Sequence, residues 1–186
     1  MRIIGGQAKG RRIAVPPGYA VRPTADRIKE ALFNILASVD GLMFLDLYAG
    51  TGNVGMEALS RGAKQVVFVE KINLLVKSIK KNLDEFGFQG RYRIVHMDAE
   101  KAIMCLAQEG ASFDLIFADP PYRMGLIDNT LGLLKVYSSI LAGDGKLILQ
   151  HVVSEPLKLR TDTAFELEDS RRYGDTLLSF LRHSRQ

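Results

Sequence analysis

Between Leu42 and His151 the chain alternates short apolar runs with amphipathic stretches, and this alternation limits the possible folds more than any other feature. The apolar runs are Met43–Leu47, Gln65–Glu70, Arg91–Met97, Phe113–Ala118 and Lys146–His151. The stretches between them predict helices over Asn53–Arg61, Asn73–Phe86, Ala99–Gln108 and Leu126–Leu141. In the second of these helices Leu75, Ile79, Leu83 and Phe86 share one face. Strands buried on both faces read as continuous apolar runs, and parallel neighbours need a crossover helix. The expected body is therefore α/β, with a parallel sheet covered on both sides.

The two ends break this pattern. Phe165–Arg172 and Thr176–Arg182 flank Tyr173-Gly174-Asp175, which predicts an antiparallel hairpin at one sheet edge. At the front, Arg2–Ile4 and Arg11–Val15 flank a Gly-containing turn and predict another hairpin. Thr24 is placed to cap a helix whose apolar stripe is Ile28, Leu32, Ile35 and Leu36, with Arg27, Lys29 and Glu30 off it. The expected division is a basic extension over residues 1–40 and a body over residues 41–186.

Charge sharpens that division. Residues 1–30 hold seven basic and two acidic side chains, whereas the remaining 156 residues hold 18 basic and 19 acidic ones. A basic front on a near-neutral body points to an anionic partner. Composition excludes other classes. At 47% hydrophobic and 25% charged residues the chain is an ordinary globular sequence, not a disordered one. Cys105 is the single cysteine, so no internal disulfide forms, and its helical position predicts a core residue. His96, His151 and His183 have neither triad nor metal spacing and read as structural, so no metal is expected. No apolar run reaches the ~18 residues of a membrane span. Met1–Gly6 is broken by Gly and charge too early for a signal peptide. A monomer in the reducing cytoplasm is the expectation.

After the first strand comes Asp46-Leu47-Tyr48-Ala49-Gly50-Thr51-Gly52-Asn53-Val54-Gly55. Gly50, Gly52 and Gly55 fit G-x-G-x-x-G at a strand-to-helix turn, where a ligand can approach free backbone N–H groups. Glu70, 18 residues after Gly52, can accept hydrogen bonds from ribose hydroxyls. A nicotinamide dinucleotide site uses the same pattern, and a plain tight turn would also fit. Asp46 argues against a pyrophosphate, which its carboxylate would repel. It suits a cationic ligand such as S-adenosylmethionine, and it can also cap loop N–H groups. Asp98, before Ala99, either borders an adenine pocket or caps the following helix.

The sharpest signal is Asp119-Pro120-Pro121-Tyr122, directly after the buried run Phe113–Ala118. Two prolines fix φ and remove two N–H donors, so the turn is rigid. It offers the Asp119 carboxylate and the Pro120 carbonyl as acceptors, with Tyr122 as a stacking plane. Two acceptors on one amino group hold its hydrogens and free the nitrogen lone pair for attack, by positioning and electrostatics alone.

With these motifs the sequence resembles the class I S-adenosylmethionine-dependent methyltransferases, and among them the bacterial guanine-N2 methyltransferases of small-subunit ribosomal RNA. The resemblance also rests on Met1–Gly6, Lys9-Gly10-Arg11, Arg22–Arg27, Ala31–Leu36 and Glu57–Ala63. It implies a Rossmann-like, seven-stranded, mostly parallel sheet with an antiparallel last strand. It implies that Asp46, Gly50 and Gly52 line the cofactor's methionine moiety, that Glu70 holds its ribose, that Asp98 and Ala99 border its adenine, and that Tyr48 and Ala49 also bind the cofactor. Asp119, Pro120, Pro121 and Tyr122 would grip the guanine, at position 966 of 16S rRNA. The family often has Glu where this chain has Gln150. The partner implied is small-subunit rRNA or a ribosomal particle, contacted through Arg2, Lys9, Arg11, Arg12, Arg22 and Arg123. An adenine-N6 DNA methyltransferase would use the same tetrapeptide, and a catalytically dead nucleotide- or RNA-binding module is the non-enzymatic alternative.

Overall fold

The computed structural model describes residues 1–19, 26–122, 125–157 and 164–184. The expected cap Thr24 and the proposed RNA contacts Arg22 and Arg123 lie outside them. The chain forms two compact units, Met1–Asp98 and Ala99–Gln186.

The first unit holds α1 (Asp26–Leu36), β1 (Met43–Asp46), α2 (Asn53–Ser60), β2 (Gln65–Val69), α3 (Asn73–Glu85) and β3 (Tyr92–Val95). β1 and β2 pair in parallel, as do β2 and β3. The second unit holds α4 (Ala99–Gln108), β4 (Phe113–Ala118), α5 (Leu126–Val136), β5 (Leu141–Val152), β6 (Phe165–Tyr173) and β7 (Thr176–His183). β4 and β5 are parallel, and β7 runs antiparallel to both β5 and β6. The strands form a seven-stranded sheet of order β3-β2-β1-β4-β5-β7-β6. β7 opposes its neighbours β5 and β6, as the tail of the sequence predicts.

Four local expectations need correction. The front hairpin forms but is shorter than expected: beside one antiparallel bridge, Arg2 to Arg12, the N–H of Ile3 donates to Arg11 O at 2.9 Å and that of Ile13 to Met1 O at 3.2 Å. Its turn is also tied to α2. The N–H of Gln7 donates to Ser60 O at 2.8 Å and that of Ala8 to Ser60 Oγ at 2.9 Å. Gly6, at φ 71°, is required here because a Cβ would collide with the Ser60 backbone. Further on, the Asn82 amide accepts from the N–H of Ala14 at 2.9 Å and donates to its carbonyl at 2.9 Å, standing in for a strand partner. Ile3, Ala8 and Ile13 are buried by this docking.

α1 is rotated relative to its predicted stripe. Its buried residues are Lys29, Leu32 and Phe33, while Ile35 is exposed. A lysine can face inward here because buried acceptors meet it, as described below. Cys105 also departs from expectation. The stripe that α4 buries is Ala99, Ala102, Ile103 and Leu106, which leaves Cys105 half-exposed, with Sγ 3.5 Å from Glu109 Oε1. Finally, the helix expected over Leu126–Leu141 stops at Val136. A 3-10 turn follows (Ser138–Ile140), and β5 begins at Leu141, five residues earlier than the apolar run suggests. Its Gly-containing start makes an irregularity, with Phe113 opposite Leu141 but Leu115 opposite Lys146. Gly145 sits where a Cβ would crowd Leu141, the Ala142 carbonyl and the Asp114 carbonyl.

Candidate active site

The glycine loop of the first unit is built around two carboxylates. Asp46 ends β1 and is buried. Helix α2 starts at Gly52, which has φ 75° and no side chain with which to cap it. Asp46 supplies the cap remotely: its Oδ2 accepts the N–H of Gly55 at 3.0 Å. A negative charge at a helix N-terminus is favourable. Glu70 follows β2 and clamps the loop from the other side. Its Oε2 accepts the N–H of Gly50 at 2.8 Å and its Oε1 the N–H of Ile72 at 2.8 Å. Each carboxylate oxygen keeps a second acceptor direction. The capping role open to Asp46 is thus realised, and Glu70 proves to be a loop clamp as well as a candidate ribose acceptor.

The three glycines have different jobs. A Cβ at Gly50, where φ is 56°, meets nothing closer than the Tyr48 carbonyl at 4.0 Å, so the backbone there faces open space. At Gly52 it would press on Met56, Ile79 and Phe68, and at Gly55 it would overlap the Phe68 ring. Gly50 is the position a ligand can approach, and the other two serve packing. Two buried carboxylates holding the loop oppose a pyrophosphate and suit a cationic ligand. S-adenosylmethionine, with an ammonium and a sulfonium, fits that donor set. Asp98 is exposed at the unit's last position, with Oδ1 3.8 Å from Lys71 Nζ, and Ala99 is buried at the start of α4.

Behind the loop lies a group that sequence reading placed wrongly. Lys29 is fully buried. Its Nζ donates to the Arg2 carbonyl at 2.7 Å and to Asn53 Oδ1 at 2.7 Å, and lies 3.2 Å from Glu57 Oε2. Glu57, also fully buried, accepts from Arg61 Nε at 2.8 Å and from the N–H of Ile4 at 2.9 Å. The Arg61 guanidinium lies 4.9 Å from the Phe33 ring centroid. Burial pushes the Lys29 ammonium below the usual lysine range, against the pull of Glu57. Asn53 opens α2 directly after Gly52, so this cluster joins the front of the chain to the loop.

In the second unit, β4 delivers Asp119, Pro120, Pro121 and Tyr122 at its carboxyl end. Pro120 is buried, Pro121 exposed, and Asp119 and Tyr122 half-buried. Gln150 holds them together. It lies in β5 and is only 3% exposed. Its Nε2 donates to Asp119 Oδ2 at 2.8 Å and to the Tyr122 hydroxyl at 3.3 Å. The signal that could have found it is the one that singled out Asp46: a polar side chain inside an apolar strand. Next to it, His151 is buried and structural. Its Nδ1 hydrogen goes to the Glu155 carbonyl at 2.9 Å, leaving Nε2 to accept from Ser179 Oγ at 2.9 Å. Burial lowers its pKa and favours this neutral form.

The proposed RNA contacts divide. Lys9 and Arg12 are exposed. Arg11 is exposed but anchored: it donates to the Glu85 carbonyl at 2.6 Å and lies 5.5 Å from the Phe86 ring centroid. Arg2 Nε is 3.5 Å from Asp26 Oδ2. Among the described residues no group of three or more His, Cys, Asp or Glu could hold a metal, and no helix is long and apolar enough to cross a membrane.

Comparison with known proteins accords with this geometry. A family model described as conserved hypothetical protein 95 matches residues 1–182. A Bacillus subtilis protein named as a candidate rRNA methyltransferase is 36% identical over 81% of this chain and 82% of its own. The Escherichia coli ribosomal RNA small subunit methyltransferase D is 41% identical over 73% of this chain and 67% of its own. A solved Escherichia coli structure, described as a candidate methyltransferase, superposes with a TM-score of 0.85 at 32% identity, covering 100% of this chain and 99% of that one. The motifs, the sheet and these matches agree, and the chain belongs to the family of small-subunit ribosomal RNA methyltransferases of class I, S-adenosylmethionine-dependent fold.

Proposed function

We propose that this chain transfers a methyl group from S-adenosylmethionine to the exocyclic N2 of a guanine in small-subunit rRNA, with guanine 966 of 16S rRNA as the first position to examine. The observation that carries the reading is the rigid acceptor turn Asp119–Tyr122, fixed to β5 through Gln150. The cofactor supplies an electrophilic methyl carbon. Asp46 and Glu70 favour its positive charge and hold the loop that it contacts at Gly50, with Tyr48, Ala49 and Gly52 alongside and Asp98 and Ala99 towards its adenine. Asp119 and the Pro120 carbonyl accept the two hydrogens of guanine N2, and the Tyr122 ring stacks on the base. The nitrogen lone pair is thereby freed from the ring, and the proton lost after transfer leaves through the Asp119 carboxylate. The base must leave its helix stack to be held this way.

The basic residues of segment 1–40, with Arg123, supply phosphate contacts, and residues 41–186 supply the chemistry. The test is Asp119→Ala, assayed on rRNA from cells lacking the protein. Methyl transfer should fall to background while calorimetric cofactor affinity persists. Unchanged turnover would remove Asp119 from the chemistry. Nucleoside mass analysis of the product should show N2-methylguanosine, and N6-methyladenosine or its deoxy form instead would overturn the substrate assignment.

A further inference from the structure

Resting on the guanine reading above, we propose that Gln150 is a specificity-determining residue, whose Oε1 accepts the ring N1–H of the guanine to be methylated. Its main chain is fixed on both sides within the sheet. Leu149 sits opposite Ala118 of β4, and Gln150 sits opposite Leu178 of β7. Both hydrogens of its amide are committed, one to Asp119 Oδ2 and one to the Tyr122 hydroxyl. The carboxylate dictates which way the amide faces, because the flipped amide would set Oε1 against Asp119 Oδ2, acceptor against acceptor. That leaves Oε1 buried with no hydrogen-bond partner among the described residues. Native structures rarely tolerate a buried acceptor without a donor, so this one calls for a reason.

The chemistry of the base gives one. Guanine carries two hydrogens on N2 and a third on the adjacent N1. The Asp119 carboxylate and the Pro120 carbonyl take the first two. The third needs another acceptor on the same edge, and Oε1 belongs to the amide that already grips Asp119 and Tyr122. Adenine presents its N6 amine beside a ring N1 that carries a lone pair and no hydrogen. Its N1 lone pair would face Oε1, and the contact would be repulsive. One acceptor at this place therefore rewards guanine and rejects adenine.

The experiment uses the full chain and an rRNA fragment containing the guanine mapped by nucleoside mass analysis. A second fragment carries 2-aminopurine there, which keeps the N2 amine but has no hydrogen on N1. The wild-type protein should prefer the guanine fragment in kcat/KM by about ten- to a hundredfold. Gln150→Met fills a similar volume with neither polar atom. It should be slower on both fragments, because Asp119 loses a donor, and its preference should shrink to about twofold or less. Gln150→Glu keeps an acceptor without the donor, so it should lose rate yet retain the guanine preference. The ratio carries the test, since a purely structural role would slow both fragments alike. A wild type that treats both bases equally overturns the proposal even if neither variant folds. A Gln150→Met protein with the wild-type ratio also overturns it. If the wild type methylates no guanine N2 at all, the functional reading fails along with it, and the mapping step shows which of the two has failed.

Discussion

Replacing Lys29 by Met tests whether the buried cluster behind the glycine loop holds the front of the chain in place. Met matches the lysine stem but carries no charge and no donor. The substitution leaves the Arg2 carbonyl and Asn53 Oδ1 without the partner that each now has at 2.7 Å, and removes one of the two cations on Glu57. Breaking a buried ion pair by deleting one partner costs about 3–5 kcal/mol. Arg61 stays 2.8 Å from Glu57, which places the expected cost near the lower bound, about 3 kcal/mol. With a urea m-value of about 2 kcal/mol/M, the unfolding midpoint should fall by about 1.5 M. The loss should also depend on pH. Burial lowers the folded pKa of Lys29 from 10.5, so between the two values the unfolded chain binds more protons. The stability that wild-type protein draws from this position therefore rises with pH through that window. The gap between wild type and variant should be wider at pH 10 than at pH 8. A midpoint shift below about 0.3 M would refute the cluster's structural weight. A gap that narrows with pH would refute the dominance of desolvation over the pull of Glu57.

Two further variants probe the loop packing and the basic surface separately. Gly55→Ala gains up to about 1 kcal/mol of helix propensity but forces a Cβ into the buried Phe68 ring, at a cost of about 1–3 kcal/mol. A melting temperature lower by a few degrees is expected, and a higher one would show that the third glycine is not there for packing. Charge reversal at both Lys9 and Arg12 should weaken rRNA binding and flatten the dependence of log affinity on log salt by about 1.4 to 1.8, with cofactor affinity unchanged. An unaltered salt slope would remove this surface from the RNA interface.

The parts of this fold that sequence discloses are those set by periodicity and by residues with unusual backbones. The strands β1, β2 and β4 and the edge hairpin of β6 and β7 announce themselves through apolar runs and turn residues, and the Asp119–Tyr122 turn through its prolines. What stays hidden depends on partners distant in sequence. Lys29 looks like a solvated helix residue until Glu57, 28 positions later, is brought to 3.2 Å. Asn82 looks like one more polar residue on α3 until the backbone of Ala14 is laid beside it. The end of α5 is ambiguous for another reason. Apolar residues continue past Val136, and periodicity alone cannot tell a helix from the start of a buried strand. The glycines Gly50, Gly52 and Gly55 satisfy one motif, yet only the space around each reveals that one faces open space and two face Phe68.

The excess of positive charge in the first thirty residues acquires a different meaning from this packing. Lys29 is turned inward and compensated, so it offers nothing to a polyanion. Arg2 and Asp26 form a pair with side chains 66% and 43% exposed, a contact that solvent largely screens. Arg11 remains exposed, but its guanidinium is fixed by the Glu85 carbonyl and the Phe86 ring, which lowers the entropy lost when it meets a phosphate. Lys9 and Arg12 complete an exposed set carried on a segment whose Ile3, Ala8 and Ile13 are buried. Those charges are therefore held by the same core as α2 and α3. The connection is concrete. One ammonium bonds the carbonyl of Arg2, within the basic segment, and the side chain of Asn53, the first residue after the glycine loop. The exposed charges proposed to meet RNA and the loop proposed to meet the cofactor are thus tied to one buried lysine. Its removal should disturb both kinds of binding together, whereas reversal of Lys9 and Arg12 should disturb only one.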